Sequence, residues 1–170
     1  MAVSVAVVRV LESRGIALDD HAAFVAGHSL GEYSALCAAG SFSLSDAAKL
    51  LRTRGKAMQK AVPVGQGTMA AILGVDFETL RDIAGAAALD EVCDIANDNA
   101  PGQVVISGTK AAVERAMDLA KSRGAKRALA LPVSAPFHSR LMAPAADVMH
   151  EALAEVTVNP PVVPLVCNVT

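Results

Sequence analysis

A serine flanked by glycines, in the sequence GHSLG at residues 27–31, constrains the fold of this chain more than any other feature. The apolar run at 22–27 predicts a buried strand, and the segment 30–40 predicts a helix. A tight turn from strand to helix is the setting of a nucleophile elbow, which exposes the serine hydroxyl. The same residues are also typical of a capping box, with Ser29 as the N-cap and Glu32 reaching back. The motif alone leaves both interpretations open.

The elbow interpretation makes two structural predictions. We expect the strained turn to leave no room for a Cβ atom at either glycine, Gly27 or Gly31. We also expect the backbone N–H of Leu30 to point from the helix start toward a position where an oxyanion could be held. A serine hydroxyl is a weak nucleophile, so Ser29 would need a base within hydrogen-bond reach.

The chain has four histidines that could supply this base. His28 adjoins the serine and should point away from it, His21 lies in a polar turn, and His150 lies in an Ala-rich helix. His138 lies where a predicted strand gives way to a helix, the kind of loop that carries catalytic groups in α/β enzymes. His138 is therefore the candidate base, and an ordinary loop histidine is the alternative.

Arg54 lies on the apolar side of the helix predicted over 43–62. At about 100° per residue, the other basic residues of the helix share the opposite face: Lys49, Arg52, Lys56 and Lys60. A cation within an apolar stripe is costly unless it is paired. Arg54 therefore predicts either a structural ion pair with a core carboxylate or a site for an acidic ligand, since Arg grips a carboxylate bidentately.

The rest of the chain predicts an α/β body interrupted by a smaller insert. A helix over 2–14 begins the body, and a helix over 135–156 and a buried strand near the C-terminus resume it. Between them the order is β-α-β-β-α-β, the ferredoxin-like pattern, with strands at 68–75, 92–97, 103–109 and 125–133 and helices at 76–87 and 110–124. We therefore assign 1–63 and 134–170 to the body and 64–133 to the insert.

Composition excludes several classes of function. The chain has 170 residues, 53% of them hydrophobic, and a formal net charge of -2. That balance argues against nucleic-acid binding. The apolar start is too short to span a membrane. Three scattered cysteines lack any metal-binding spacing and fit buried free thiols in a reducing cytosol.

Four segments together resemble a known family. They are GHSLGEYSAL with Ser29, RGKAMQ with Arg54, NDNAPGQVVISG, and KRALALPVSAPFHSRLM with His138. In order and spacing they resemble the malonyl-CoA:acyl-carrier-protein transacylases of fatty-acid synthesis, relatives of polyketide synthase acyltransferase domains. The resemblance covers essentially the whole chain. It implies an α/β-hydrolase-like parallel-sheet body with an inserted ferredoxin-like subdomain, in agreement with the pattern above.

The resemblance also implies roles. Ser29 would take the malonyl group from coenzyme A as an ester, and His138 would act as base and then as acid. Arg54 would hold the malonyl carboxylate, and the N–H of Leu30 would supply half of the oxyanion hole. A backbone carbonyl, not an acid, orients the histidine in this family. Coenzyme A is a substrate, the phosphopantetheine thiol of acyl carrier protein is the acceptor, and no prosthetic group or metal is implied.

Three further residues match positions near the family's cleft. Asn97 and Asn99 fall in the N-D-N-x-P-G segment, where simple turn residues are an equally good interpretation. Phe137 precedes the candidate base and would crowd the site against branched acyl groups; ordinary packing is the alternative.

A basic cluster follows the last predicted helix of the insert. Because carrier proteins are acidic, Lys126 and Arg127 are candidate docking residues, together with Lys121 and Arg123. The alternative is favourable charge at a helix C-terminus on a solvated face.

The chain departs from the family pattern at both ends. Nothing like the family's GQGSQ loop, which completes the oxyanion hole, precedes Ala2, and the family continues beyond the final PLVCNVT. We therefore expect a central fragment with open sheet edges that could favour self-association, although family members are often monomeric. The alternatives are an inactive fragment that only binds coenzyme A or carrier protein, and a serine esterase or thioesterase.

Overall fold

A computed structural model describes residues 1–169. In chain order its helices are α1 Ala2–Glu12, α2 Leu18–His21, α3 Gly31–Ala38, α4 Leu44–Ala61, α5 Phe77–Ala88, α6 Lys110–Ser122 and α7 Ala143–Ala154. Its strands are β1 Val25–Ala26, β2 Gly67–Leu73, β3 Cys93–Ala100, β4 Gln103–Thr109, β5 Arg127–Ala130 and β6 Leu165–Val166. This is the mixed α/β order that the sequence predicts, with shorter strands in the body.

The chain divides into two compact units. The first combines Met1–Gly55 with Met149–Thr170, and the second is Lys56–Val148. Helices α4 and α7 each contribute residues to both units. The predicted insert at 64–133 lies within the second unit, and its ends stay a prediction.

The first unit contains a parallel pair of short strands, β1 and β6. Val25 pairs with Leu165 and Ala26 with Val166, so the carboxyl ends of both strands meet at one edge. The core of this unit joins Phe42, Ala47, Leu50 and Met149 beneath α3, α4 and α7.

Helix α4 begins at a serine cap. Ser43 Oγ accepts a hydrogen bond of 3.0 Å from the backbone N–H of Asp46. Ser43 Oγ also donates to the Asp46 carboxylate at 2.7 Å. These two bonds fix where helix α4 starts.

The second unit is a four-stranded antiparallel sheet with two helices. The strand order is β3-β4-β2-β5, which confirms the ferredoxin-like prediction. Its core joins one face of the sheet to α5 and α6 through fully buried side chains, among them Ile72, Leu80, Ile83, Ile106 and Val113. Because alternate strand residues and a 3.6-residue helical stripe are apolar here, the sequence specifies this unit locally.

Several local predictions are wrong. Residues 18–21 form the short helix α2 in place of a polar turn around His21. Strand β3 runs on to Ala100 through two register shifts, so the turn of this hairpin is confined to Pro101 and Gly102. The helix expected from residue 135 is preceded by a loop and a 3-10 turn, Arg140–Met142.

None of the helices within residues 1–169 combines the length and the apolar character needed to cross a bilayer.

Candidate active site

Ser29 lies in a strained turn between β1 and α3. Its φ is 52°, in the left-handed region that residues with a Cβ adopt only at a cost of about 1–2 kcal/mol. A Cβ placed on Gly27 would lie 2.0 Å from the backbone C and O of Gly31, so this position admits only glycine. A Cβ on Gly31 would meet nothing within 4 Å. The prediction that both flanking positions exclude a side chain is therefore wrong for Gly31.

The predicted capping box is also wrong. Helix α3 has Leu30 as its N-cap, with a φ of -61°, and receives no side-chain capping bond. The Glu32 carboxylate accepts instead from the side-chain amide of Asn168, at 2.6 Å. As the N-cap, Leu30 has a backbone N–H without an intrahelical acceptor, which suits it to the predicted oxyanion role.

Asn168, just beyond the end of β6, is a residue of the elbow that the sequence analysis missed. Its Oδ1 accepts from the backbone N–H of Ser29 at 2.9 Å, and its Nδ2 donates to the carbonyl of Gly27 at 2.7 Å. A signal was available, since this asparagine lies two residues beyond a strand that pairs in parallel with the strand before the serine. Side chains at the carboxyl ends of parallel strands meet at one edge of the sheet.

Arg54 reaches the serine from the partly buried face of α4. Its Nη2 donates to Ser29 Oγ at 3.0 Å. Among the ion pairs of residues 1–169, none includes Arg54, so the structural ion pair offered as one interpretation is wrong. A guanidinium bonded to Oγ stabilises negative charge on that oxygen. It can also bind an anionic group that is attached to Oγ.

The field of Arg54 also reaches Tyr33, the neighbour of Glu32 on α3. Burial raises the pKa of the Tyr33 phenol, while Arg54 acts to lower it and Glu32 to raise it further. The ring stacks on Phe42, with centroids 6.3 Å apart. Tyr33 therefore remains a neutral, packed residue beside the elbow.

His138 belongs to the second unit and lies exposed in the loop before α7. Its φ is 61°, again left-handed for a residue with a Cβ. The loop is held by the Ser139 hydroxyl, which donates to the carbonyl of Pro136 at 2.8 Å, and by the N–H of Phe137, which donates to Ala135 at 3.0 Å. Backbone strain of this kind clusters at functional sites, which favours a role for this histidine over an ordinary loop position.

An ion pair fixes the chain two residues beyond His138. The Asp94 carboxylate accepts from the backbone N–H of Arg140 at 2.8 Å and from its Nε at 3.0 Å. Burial alone raises the pKa of Asp94, but the bonds from Arg140 outweigh it and hold that pKa below its usual value. Asp94 therefore anchors the loop of the candidate base to strand β3.

Phe137 packs against the second unit's smaller apolar cluster, which includes Met58, Val62 and Met142. The packing interpretation of this residue is thus observed, while its contact with substrate stays a prediction. Asn97 and Asn99 lie within β3, close to its register shifts, so they are not turn residues. An irregular strand re-aims side chains, and their role toward a substrate also stays a prediction.

The basic cluster is exposed at one end of the second unit. Lys126 donates its backbone N–H to Leu73 at 2.8 Å, and Arg127 begins β5. Lys121 is already paired with Asp118 at 3.1 Å. Lys126 and Arg127 therefore present their charges to solvent, as either interpretation of the cluster requires.

The other three histidines, His21, His28 and His150, are exposed, and the His21 Nδ1 bonds the carbonyl of Ala17 at 3.0 Å. Within residues 1–169, no group of three or more His, Cys, Asp and Glu side chains could hold a metal ion.

Comparison with known proteins places this geometry in a family. A model of the acyl transferase domain matches residues 1–170. Malonyl CoA-acyl carrier protein transacylase of Escherichia coli K12 is 52% identical over 166 residues, 98% of this chain and 53% of the relative. The protein of the same name from Bacillus subtilis is 49% identical over 168 residues, 98% of this chain and 52% of the relative.

Solved structures agree. Acyl-carrier-protein-S-malonyltransferase from Bartonella henselae is 58% identical with a TM-score of 0.96, over 99% of this chain and 54% of that one. The chain spans about half the length of the curated relatives it matches. Because the family model covers the whole sequence, this chain belongs to the acyl transferase domain family.

Proposed function

We propose that this protein transfers a malonyl group from malonyl-CoA to the phosphopantetheine thiol of acyl carrier protein, through a malonyl ester on Ser29. This reaction supplies extender units for fatty-acid synthesis, and we place it in the cytoplasm. The observation that carries the proposal is the 3.0 Å hydrogen bond from Arg54 to Ser29 Oγ at a strained elbow. The choice of acyl group is supported by the relatives, which are malonyl transferases.

The position of Arg54 suits a dicarboxylic acyl group. In a malonyl ester, the free carboxylate carbon lies two C–C bonds from the ester carbonyl carbon, a separation of about 2.5 Å. A guanidinium that already contacts Oγ is therefore within reach of that carboxylate once the ester forms. An acetyl group ends one carbon earlier and offers Arg54 no anion, so the site should discriminate on charge.

The proposed reaction has two halves. Ser29 Oγ attacks the thioester carbonyl carbon, its proton passes to His138, and the N–H of Leu30 stabilises the oxyanion. The C–S bond then breaks, and coenzyme A leaves as a thiol carrying the proton from His138. In the second half the carrier thiol gives its proton to His138 and its sulfur attacks the ester carbonyl carbon. The bond from that carbon to Ser29 Oγ breaks, the malonyl group stays on the carrier as a thioester, and His138 returns the proton to Oγ. We propose that no metal or prosthetic group takes part.

Other contacts complete the proposal. Asn97, Asn99 and Phe137 would line the path of the substrate, and Lys126 and Arg127 would dock the acidic carrier. One relative of known structure is a malonyl-transacylase in complex with a type II polyketide acyl-carrier protein. That complex supports a carrier protein as the partner here.

The test is acylation of the purified chain, followed by intact mass. Malonyl-CoA should add one malonyl group, and Ser29→Ala should abolish the addition. Arg54→Ala should slow malonyl addition by roughly 100-fold or more, because the charged hydrogen-bond partner of the malonyl carboxylate is lost, while acetyl-CoA labelling, which loses only the contact of Arg54 with Ser29 Oγ, should fall much less. Arg52→Ala, on the exposed face of the same helix, is the matched control.

Two results would count against the proposal. Equal losses of malonyl and acetyl labelling in Arg54→Ala would remove the carboxylate role. Release of free malonate in place of transfer to added carrier protein would identify an esterase. Charge reversal of Lys126 and Arg127 should weaken transfer to the carrier and its salt dependence, without changing acylation by malonyl-CoA.

A further inference from the structure

We infer that Asn168 is a positioning residue for the nucleophile, because its carboxamide holds the two peptide units that precede Ser29 and thereby sets the direction of Oγ. Asn168 itself does not touch the reacting atoms. The inference deepens the proposed function and rests on it only for the kinetic part of its test.

The peptide unit between His28 and Ser29 is held at both ends. Its N–H, on Ser29, donates to Asn168 Oδ1 at 2.9 Å, and its carbonyl, on His28, accepts from the N–H of Gly31 at 2.8 Å. The preceding carbonyl, on Gly27, accepts from Asn168 Nδ2 at 2.7 Å. One side chain therefore fixes the orientation of two consecutive peptide planes.

Glu32 fixes which way the carboxamide faces. Its Oε2 accepts from Asn168 Nδ2 at 2.6 Å and from the backbone N–H of Asn168 at 3.3 Å. An ionised carboxylate only accepts hydrogen bonds, so the amide nitrogen must face Glu32 and Gly27. The carboxamide oxygen is left to face the N–H of Ser29.

The elbow needs this restraint because Ser29 is strained. A residue with a Cβ at a φ of 52° relaxes by rotating an adjoining peptide unit. Rotation of the unit between His28 and Ser29 would swing Oγ away from Arg54, which it contacts at 3.0 Å. The bonds to Asn168 oppose that rotation directly.

The positioning role of Asn168 can be distinguished from a role that only stabilises the fold. Pairing of β6 with β1 already uses backbone bonds in the register Val25 to Leu165 and Ala26 to Val166. Asn168 is exposed, so shortening its side chain leaves no buried cavity. Loss of the side chain should therefore change the elbow without unfolding the unit.

The first test is Asn168→Ala in the full chain, with Asn159→Ala as the matched control, since Asn159 is exposed in the same unit and its backbone N–H alone bonds Ser41. Amide hydrogen exchange by NMR should show protection lost at Ser29 by about 10-fold or more, with the unfolding midpoint unchanged. Formation of the malonyl ester should slow by roughly 10-fold to 100-fold in kcat, with little change in KM, as expected when a reacting group is displaced. Asn159→Ala should match the unaltered chain in amide exchange at Ser29, in unfolding midpoint and in the rate of ester formation.

A second pair of variants checks the direction of the bonds. Asn168→Asp should be as impaired as the alanine variant, because two carboxylates then face each other. Adding Glu32→Gln to it should restore about 5-fold or more of the lost rate, since the glutamine can donate where the asparagine did.

The outcomes separate the two proposals. If the unaltered chain takes no malonyl group, the proposed function fails, and the amide exchange at Ser29 still decides the role of Asn168. Unchanged exchange at Ser29 in Asn168→Ala would overturn the inference. So would a loss of rate accompanied by an equal rise in KM, or a double variant no better than Asn168→Asp.

Discussion

A single methyl group at Gly27 should dismantle the elbow, while the same methyl group at Gly31 should be harmless. In Gly27→Ala the new Cβ would lie 2.0 Å from the Gly31 backbone C and O, and 2.5 Å from the backbone N of Glu32. All three are main-chain atoms, so no side chain can move aside. Gly31→Ala adds its Cβ to open space and is the matched control.

The size of the effect follows from the distances. Ordinary contact begins at 3.4 Å, so the start of α3 must retreat by 3.4 − 2.0 = 1.4 Å to accept the methyl group. Overpacking of this kind costs about 1–3 kcal/mol or more. A displacement of about 1 Å at a reacting group costs roughly 100-fold in rate. Gly31→Ala should instead gain up to about 1 kcal/mol, because alanine is the better helix former.

The assay is urea unfolding followed by tyrosine fluorescence. Tyr33 is the chain's one tyrosine and there is no tryptophan, so this signal reports on α3 itself. The midpoint should fall for Gly27→Ala and hold or rise for Gly31→Ala, and ester formation on Ser29 should fall by about 100-fold only in the former. A Gly27→Ala midpoint equal to or above that of Gly31→Ala would refute the steric reasoning.

Three further outcomes follow from the second unit. The bonds from Arg140 hold the pKa of Asp94 below its usual value, so this pairing stabilises the fold above that usual value and is lost as the pH falls through the lowered one. In thermal melts across pH, Asp94→Asn should therefore unfold at a lower temperature than the unaltered chain near neutral pH, and the difference should shrink as the pH falls through the lowered pKa. Cys93 is 4% exposed and burial raises its pKa to about 11, so maleimide should label the exposed Cys167 in the folded chain and Cys93 only in urea, by peptide mapping. Leu89 is 74% exposed at a φ of 51°, so Leu89→Gly should raise the unfolding free energy by roughly 0.5–1 kcal/mol, and a decrease would show that its contacts outweigh the strain.

The spacing of apolar and turn residues within a few positions predicted those features of the fold that depend on neighbouring residues in the chain. The strand-turn-helix around Ser29 and the apolar face of α4 both follow from spacings of a few residues. For the same reason, helical spacing alone identifies Arg54 as an inward-facing cation. The ferredoxin-like order follows in the same way, because each of its strands and helices has its own local pattern.

The features that the sequence did not predict depend on contacts between segments that are distant in the chain. The capping box failed because Asn168, 139 residues from Ser29, competes for the same groups. The ion pair of Asp94 with Arg140 joins residues 46 apart, and no local pattern links a strand residue to a loop that distant. Gly31 was judged equivalent to Gly27 because the motif is symmetrical, whereas the backbone packs closely on one side only.

The pairing of β1 with β6 also has a consequence for the order of folding. Joining segments about 140 residues apart closes a long loop, and the entropic cost of closure rises with loop length. The sheet of the second unit, built from a hairpin and short crossovers, needs much shorter loops and should form sooner. During synthesis the turn at Ser29 would lack the pairing of β6 with β1 and the hydrogen bonds from Asn168 until residues 165–168 emerge from the ribosome. The turn that carries Ser29 would thus be completed only after the sheet of the second unit has formed.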